Sequence, residues 1–375
     1  MLTELTHLSA QEYETIVYGN MTPVMAADYL KNGRIMMRSF AETLKDMYPA
    51  SDLDTCLINF FLSVNPDASY PSVSKKVRNW ISGRNRPSCR EDLFQIAFAL
   101  RLSEQQLNYL LCLCTGFSIQ YRNHFEVIYA WFLRNGRSYE EARQFFSSLP
   151  PVQERNLART AKTSRLTHEL RSEFQVVSTQ EDLRNCYKKN LDNFGAMHLR
   201  AYYYFEKFSN QLIRPVPGWD SEEEADYSLE AVMKIYLSLK VPSGRKRENY
   251  TVVQKLLKQN WPNATSIKNI RSHKEDVPRK LLLLLYVVTE NGIADDEFYR
   301  EMDEEYMPLE ERVEYHWWTL NAILDDCGMA PLDPRNASDW LILYAISCGH
   351  EESMSERLEQ VLSYVFGPEQ PKDGL

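Results

Sequence analysis

Apolar residues recur along the chain at the spacing of helices, and strand-like alternation is nearly absent. Between Ser72 and Ile81, residues Val73, Val77, Trp80 and Ile81 fall on one face by the i, i+4, i+7, i+8 rule. Thr55–Val64, Leu93–Leu100 and Phe125–Leu133 read as strongly apolar helices. The stripe Tyr202, Tyr203, Tyr204, Phe205 and Phe208 sits at helical spacing and is expected in a core, as are Trp317, Trp318 and Trp340. Capping boxes punctuate the pattern at Ser103/Gln106, Ser138/Glu141, Ser178/Glu181, Ser221/Glu224 and Ser353/Glu356. Asn135-Gly136 marks a helix stop, because glycine accepts the left-handed conformation that ends helices. One short stretch, Phe174–Val177, has a strand-like pattern. The pattern predicts an all-α chain of a dozen or more helices.

Pro150-Pro151 and the stretch Arg214–Trp219, with Pro215, Pro217 and Gly218, interrupt helices and divide the chain. On either side an ordered set of residues repeats. Leu107-Asn108, Leu110-Leu111, Cys114, Gly116, Arg122-Asn123 and Tyr129-Ala130 recur as Leu320-Asn321, Ile323-Leu324, Cys327, Gly328, Arg335-Asn336 and Tyr344-Ala345. Upstream, Val77-Arg78-Asn79, Ser82 and Pro87 correspond to Ile267-Lys268-Asn269, Ser272 and Pro278. The repeat is too long for a solenoid, whose units run ~20–50 residues. The expected organisation is an N-terminal arm (1–20), a first helical domain (21–150), a central helical segment (151–215), a duplicate domain (216–368) and a tail (369–375).

Composition narrows the function. Glycine contributes only 13 of 375 residues, which disfavours folds built on tight turns and phosphate-cradling loops. The longest apolar run, Leu281–Val288, falls far short of the ~20 residues of a membrane-spanning helix. No signal peptide is visible, and the odd count of seven cysteines reads as reduced thiols in a cytoplasmic protein. Cys112 and Cys114 lack the further ligands that zinc would need. The acids of Asp295–Glu314 read as a solvated surface, so neither metal nor cofactor is expected. No phosphate loop, zinc-protease helix or nucleophile elbow is present, and the chain reads as a non-enzyme.

The formal net charge of −9 conceals a sorting of charge. Ser72–Arg90 holds six basic residues and no acidic one, and Lys240–Lys280 holds eleven basic against three acidic. With the apolar face of Ser72–Ile81 turned inward, Ser72, Ser74, Lys75, Lys76, Arg78 and Asn79 are left to face outward. Arginine or lysine can bridge guanine O6 and N7, and asparagine can pair with adenine. Arg84, Arg86 and Arg90 follow on the next turn, placed to meet phosphates. In the second copy the corresponding candidates are Lys268, Asn269, Arg271 and Lys274.

Trp80, the turn Ser82-Gly83-Arg84, Pro87, the apolar Leu93–Leu100 and the helix start Leu102-Ser103 occur in the order of a familiar motif. The segment resembles the later helices of a lambda-repressor-like helix-turn-helix domain of the xenobiotic-response-element family, over about residues 55–113. A degenerate second copy lies near 250–290. The connection Pro66–Pro71 departs from the family in being longer than a tight turn and lacking glycine. The resemblance implies sequence-specific binding of double-stranded DNA, with Lys75, Arg78 and Asn79 reading bases and Arg84 and Arg86 holding the backbone. It points to a prokaryotic transcriptional regulator or an accessory factor of a mobile element. Two alternatives stay open: an interaction scaffold whose helix-turn-helix domains no longer touch DNA, and a regulator sensing a peptide or small ligand. A homodimer or another protein partner is compatible with all three; a membrane is not expected.

Overall fold

A computed structural model describes residues 7–152, 167–195, 199–214, 228–242, 250–289, 308–349 and 352–367. Among these residues the chain is helical without a strand; Phe117 and Met329 form an isolated antiparallel bridge. The helices are α1 (His7–Tyr18), α2 (Pro23–Lys31), α3 (Phe40–Met47), α4 (Leu53–Val64), α5 (Tyr70–Ile81), α6 (Arg90–Ala99) and α7 (Glu104–Thr115). They continue as α8 (His124–Arg134), α9 (Tyr139–Ser147), α10 (Thr167–Gln175), α11 (Gln180–Lys189), α12 (Leu199–Ile213) and α13 (Leu229–Val232). The series ends with α14 (Val252–Lys258), α15 (Ala264–Arg271), α16 (Arg279–Thr289), α17 (Leu309–Asp326), α18 (Ala337–Ile346) and α19 (Met354–Phe366). The expected cap at Ser221/Glu224, the 215–219 boundary, the acids 295–307, residues 1–6 of the arm and the tail lie outside the described residues.

Local chemistry explains where these helices begin. Ser103 with Gln106, and Ser138 with Glu141, close reciprocal capping boxes, while Ser353 accepts the Glu356 N–H. Thr251 with Gln254 and Asn263 with Ser266 add two boxes that the serine pattern did not flag. The cap expected at Ser178 belongs to Thr179, whose hydroxyl accepts the Asp182 N–H and also donates to the Asp182 carboxylate at 2.6 Å. Phe174 ends a helix rather than opening a strand, because its ring is buried in the core of that region. Trp318 is exposed on α17, contrary to expectation, whereas Trp340 is buried.

Two compact units divide the chain. Unit 2 comprises 38–200 with 324–330, and unit 1 comprises 1–37, 201–323 and 331–375. In unit 2, α6 and α8 run through the middle of one hydrophobic cluster that includes Leu93, Phe94, Ile96, Ile128 and Phe132. Helix α5 packs on α3 and α4, and α6 packs on α4, α7 and α8. Helices α10 and α11 contribute Leu170, Leu183 and Tyr187 to the same cluster. In unit 1, α18 is apolar on all sides and is surrounded by α1, α14, α16 and α19. The expected N-terminal arm is thus a packed helix, because Ile16 and Val17 bury themselves in this unit.

Each unit contains a buried ion pair with the same surroundings. In unit 2, Arg90 Nε and Nη2 donate to the two oxygens of Glu126 at 2.6 and 2.8 Å. Arg90 also donates to Thr115 Oγ1 at 2.6 Å and to the Ser118 carbonyl at 2.7 Å, and the Gln120 N–H donates to Glu126 at 2.8 Å. Asn123 caps α8, and Asn108 accepts the Ile119 N–H. In unit 1, Arg279 grips Asp339 at 2.6 and 2.8 Å and donates to the Pro331 carbonyl at 3.0 Å. The Asp333 N–H donates to Asp339, Asn336 caps α18, and Asn321 accepts the Leu332 N–H.

Glu126 is 1% exposed, and losing one partner of such a pair strands a buried charge. Glu126→Gln is therefore expected to destabilise the protein by about 3 kcal/mol in urea unfolding at neutral pH. A loss below about 1 kcal/mol would contradict that account.

A second prediction concerns pH. His316 is buried in unit 1, with Nδ1 at 2.8 Å from the Tyr286 hydroxyl. Burial, assisted by the charge of Arg312, pulls the imidazole down from 6.5 to about 4. As pH falls through that interval, the unfolded chain takes up a proton that the folded chain refuses, so stability drops. Between neutral pH and pH 4 the wild type should lose roughly 3 kcal/mol more than His316→Gln, which keeps a polar partner for Tyr286 and does not titrate. Parallel pH–stability curves for the two proteins would refute this.

Candidate nucleic-acid interface

The basic helix is longer than its charge pattern implies. It begins at Tyr70 rather than Ser72, with Pro71 in its first turn. Proline is at home there, since a first-turn N–H has no helical partner to lose. The connection from α4 is correspondingly the five residues Asn65–Ser69, shorter than the expected Pro66–Pro71 separation implied. At its other end Gly83 takes φ +73°, and the Gly83 and Asn85 N–H groups return to the Trp80 and Asn79 carbonyls at 3.1 and 3.2 Å. A side chain at Gly83 would have room but would be strained by that backbone angle.

The helix is held by its apolar face. Val73, Val77 and Trp80 are buried, and Trp80 meets Phe61 of α4 edge-on at 5.6 Å between ring centroids. This anchoring settles the fate of each predicted residue. Ser72, Lys75, Arg78, Arg84 and Arg86 are exposed and Asn79 is half-buried. Ser74 is only 5% exposed, because it follows Val73 onto the packed side; the outward placement expected for it does not hold. Among the described residues, no ion pair neutralises Lys75, Arg78, Arg84 or Arg86.

Two cations of the segment have partners within the chain: Lys76, which is exposed as expected, and Arg90, which is not. Lys76 Nζ donates to Asp92 of α6 at 2.7 Å and lies 5.2 and 5.0 Å from the ring centroids of Phe61 and Trp80. Its position three residues after Val73 and four before Trp80 puts its stem on the rim of the buried face. Arg90 is committed to Glu126 and so is not placed to meet a phosphate. Lys76 links α5 to α6 at the surface, and Arg90 fastens α6 to the buried Glu126 of α8.

The exposed cations border an open depression of about 430 Å³. Tyr70 and Pro71 form one side of it, and Ser74, Lys75, Arg78, Asn79 and Arg84 complete the lining. Tyr70 is 56% exposed and was missed by the charge pattern. Its signal was the Tyr-Pro pair immediately ahead of the apolar periodicity, which marks a first helical turn. Chemically the surface offers three cationic groups, an amide and an exposed aromatic ring around one concavity. That set suits anionic ligands carrying hydrogen-bonding edges.

In unit 1, Lys268, Arg271 and Lys274 are exposed along and just beyond α15. The α15 turn starts alike, since the His273 N–H returns to the Ile270 carbonyl as Gly83 does to Trp80 and His273 takes φ +56°; its next bond comes one residue earlier, from the Lys274 N–H to the Asn269 carbonyl. Asn269 differs from expectation, since its amide donates to Glu275 at 2.7 Å. Glu275 and Asp276 are exposed beside it. Arg245, Lys246 and Arg247 of the same basic stretch lie outside the described residues. Among the described residues, no group of three histidine, cysteine or acidic side chains could hold a metal ion, and no helix is long and apolar enough to cross a membrane.

The division between ion-paired and unpaired cations can be checked by stability alone. Lys76→Ala is expected to cost about 1 kcal/mol, since its ion pair and ring contacts are part-exposed. Lys75→Ala should be neutral within about 0.5 kcal/mol in the same denaturant titration. Equal effects would contradict the assignment. Compared with known families, with curated proteins and with solved structures, the chain matches none of them.

Proposed function

We propose that the protein binds double-stranded DNA sequence-specifically through α5, as a transcriptional regulator or an accessory factor of a mobile element. The observation that carries the reading is the gathering of Lys75 and Arg78 on a helix anchored through its opposite face with Arg84 and Arg86 on the segment just after it, none of them ion-paired among the described residues. Such a helix presents charge at low conformational cost and can enter a major groove with its side chains extended. Lys75, Arg78 and Asn79 read base edges, while Arg84 and Arg86 hold phosphates from the turn. Ser72 and Tyr70 lie at the leading end, where the helix approaches the groove. The reading assigns no catalytic group and no cofactor. The resemblance of residues 55–113 to lambda-repressor-like domains supports it independently of the charge geometry.

The same reading includes an internal duplication. Its support is the recurrence, in both units, of the buried arginine–carboxylate pair, the asparagine that caps the next helix, and the asparagine that accepts a loop N–H eleven residues on. These are packing and capping devices, so they support a shared fold and say nothing of a shared ligand.

The test is binding of duplex fragments from the chain's own upstream region at about 50 and 200 mM salt. Wild type should bind specifically, with affinity falling steeply as salt rises. Arg78→Ala with Asn79→Ala should lose about 10- to 100-fold on the preferred fragment and less on mixed sequence. Absence of binding at low salt, or indifference to the double substitution, would overturn the reading.

A further inference from the structure

The two basic helices end alike, with the Ser82 and Ser272 N–H groups returning to Arg78 and Lys268 and the next N–H to Trp80 and Ile270, so their surfaces can be compared by counting from these serines. Counting back and forward from Ser82 and Ser272, Arg78 matches Lys268, Asn79 matches Asn269 and Arg84 matches Lys274. The remaining positions diverge. Asn85 and Arg86 are replaced by Glu275 and Asp276, and Lys75 by Thr265. Helix α15 has 8 residues where α5 has 12, so the leading turn that carries Tyr70, Pro71 and Ser72 has no counterpart in α15.

We infer that α5 is the only one of these two helices that reads DNA, so that each chain covers one contiguous half-site; this rests on the DNA-binding reading above. The electrostatics of α15 oppose a phosphate backbone. Two exposed carboxylates stand on the turn where α5 carries a neutral amide and an arginine, and they cancel most of the charge of Lys268, Arg271 and Lys274. The one amide able to pair with adenine is engaged by Glu275 at 2.7 Å and would have to surrender that bond. The turn itself is tied down, since the His273 ring stacks on Tyr202 of α12 at 4.4 Å between centroids. What the units share is the scaffold; what they do not share is the surface a duplex would meet.

The experiment measures binding of the full chain to a fluorescent mixed-sequence duplex of about 30 base pairs across a salt series. Thermal melts confirm that each variant is folded. Lys75→Ala, Arg78→Ala and Arg84→Ala together should weaken binding at least about tenfold and flatten the salt slope by about three. Lys268→Ala, Arg271→Ala and Lys274→Ala together should leave affinity within about twofold and the slope unchanged. Glu275→Asn with Asp276→Arg, which restores the α5 pattern, should raise affinity and steepen the slope by about one. If the α15 triple variant loses as much affinity and slope as the α5 variant, the one-surface inference is overturned while DNA binding stands. If folded wild type binds no duplex at low salt, or binds without loss in the α5 variant, the reading through α5 fails and this inference with it.

Discussion

The pairing of Arg90 with Glu126 is the interaction on which the basic surface depends. A buried carboxylate is tolerable only if its oxygens are saturated, and Glu126 accepts from both ends of the Arg90 guanidinium and from the Gln120 N–H. The remaining guanidinium donors close on Thr115 and the Ser118 carbonyl, so one side chain ties α6, α8 and the loop after α7 together. Helix α6 then supplies Asp92, which holds Lys76 of α5. The placement of the exposed cations is thus supported by two cations of the same basic segment that pair within the chain, Arg90 with a buried carboxylate and Lys76 at the surface.

This division of labour explains how an acidic chain can present a cationic face. Of the basic residues between Ser72 and Arg90, Lys76 and Arg90 are neutralised internally, and Lys75, Arg78, Arg84 and Arg86 carry the external field. Unit 1 contains a comparable internal pair, with Arg279 gripping Asp339. It lacks the external half. Packing and capping constrain a residue from several sides at once, whereas a surface position answers only to its ligand.

Much of the helical framework was legible in the sequence because its causes are local. The boxes at Ser103 and Ser138, the left-handed glycine at Gly136, and the buried face of Val73, Val77 and Trp80 each depend on residues within a turn or two. The placement of the charges was not local. Lys76 finds Asp92 sixteen residues on, and Arg90 finds Glu126 thirty-six residues on, so a run of basic residues read as one patch although two of its members are paired within the chain. Ser74 was misplaced for a simpler reason: it follows Val73 onto the packed side of the helix. The packing of residues 7–31 into unit 1 involves partners hundreds of positions away, such as the Met21 carbonyl that accepts from Tyr344, which no windowed pattern can register.

The most direct measurement is amide hydrogen exchange of the full chain with and without a bound DNA duplex. The account predicts new protection over residues 70–84, with α15 and its turn, 264–274, unchanged. Protection of 264–274 without protection of 70–84 would contradict it.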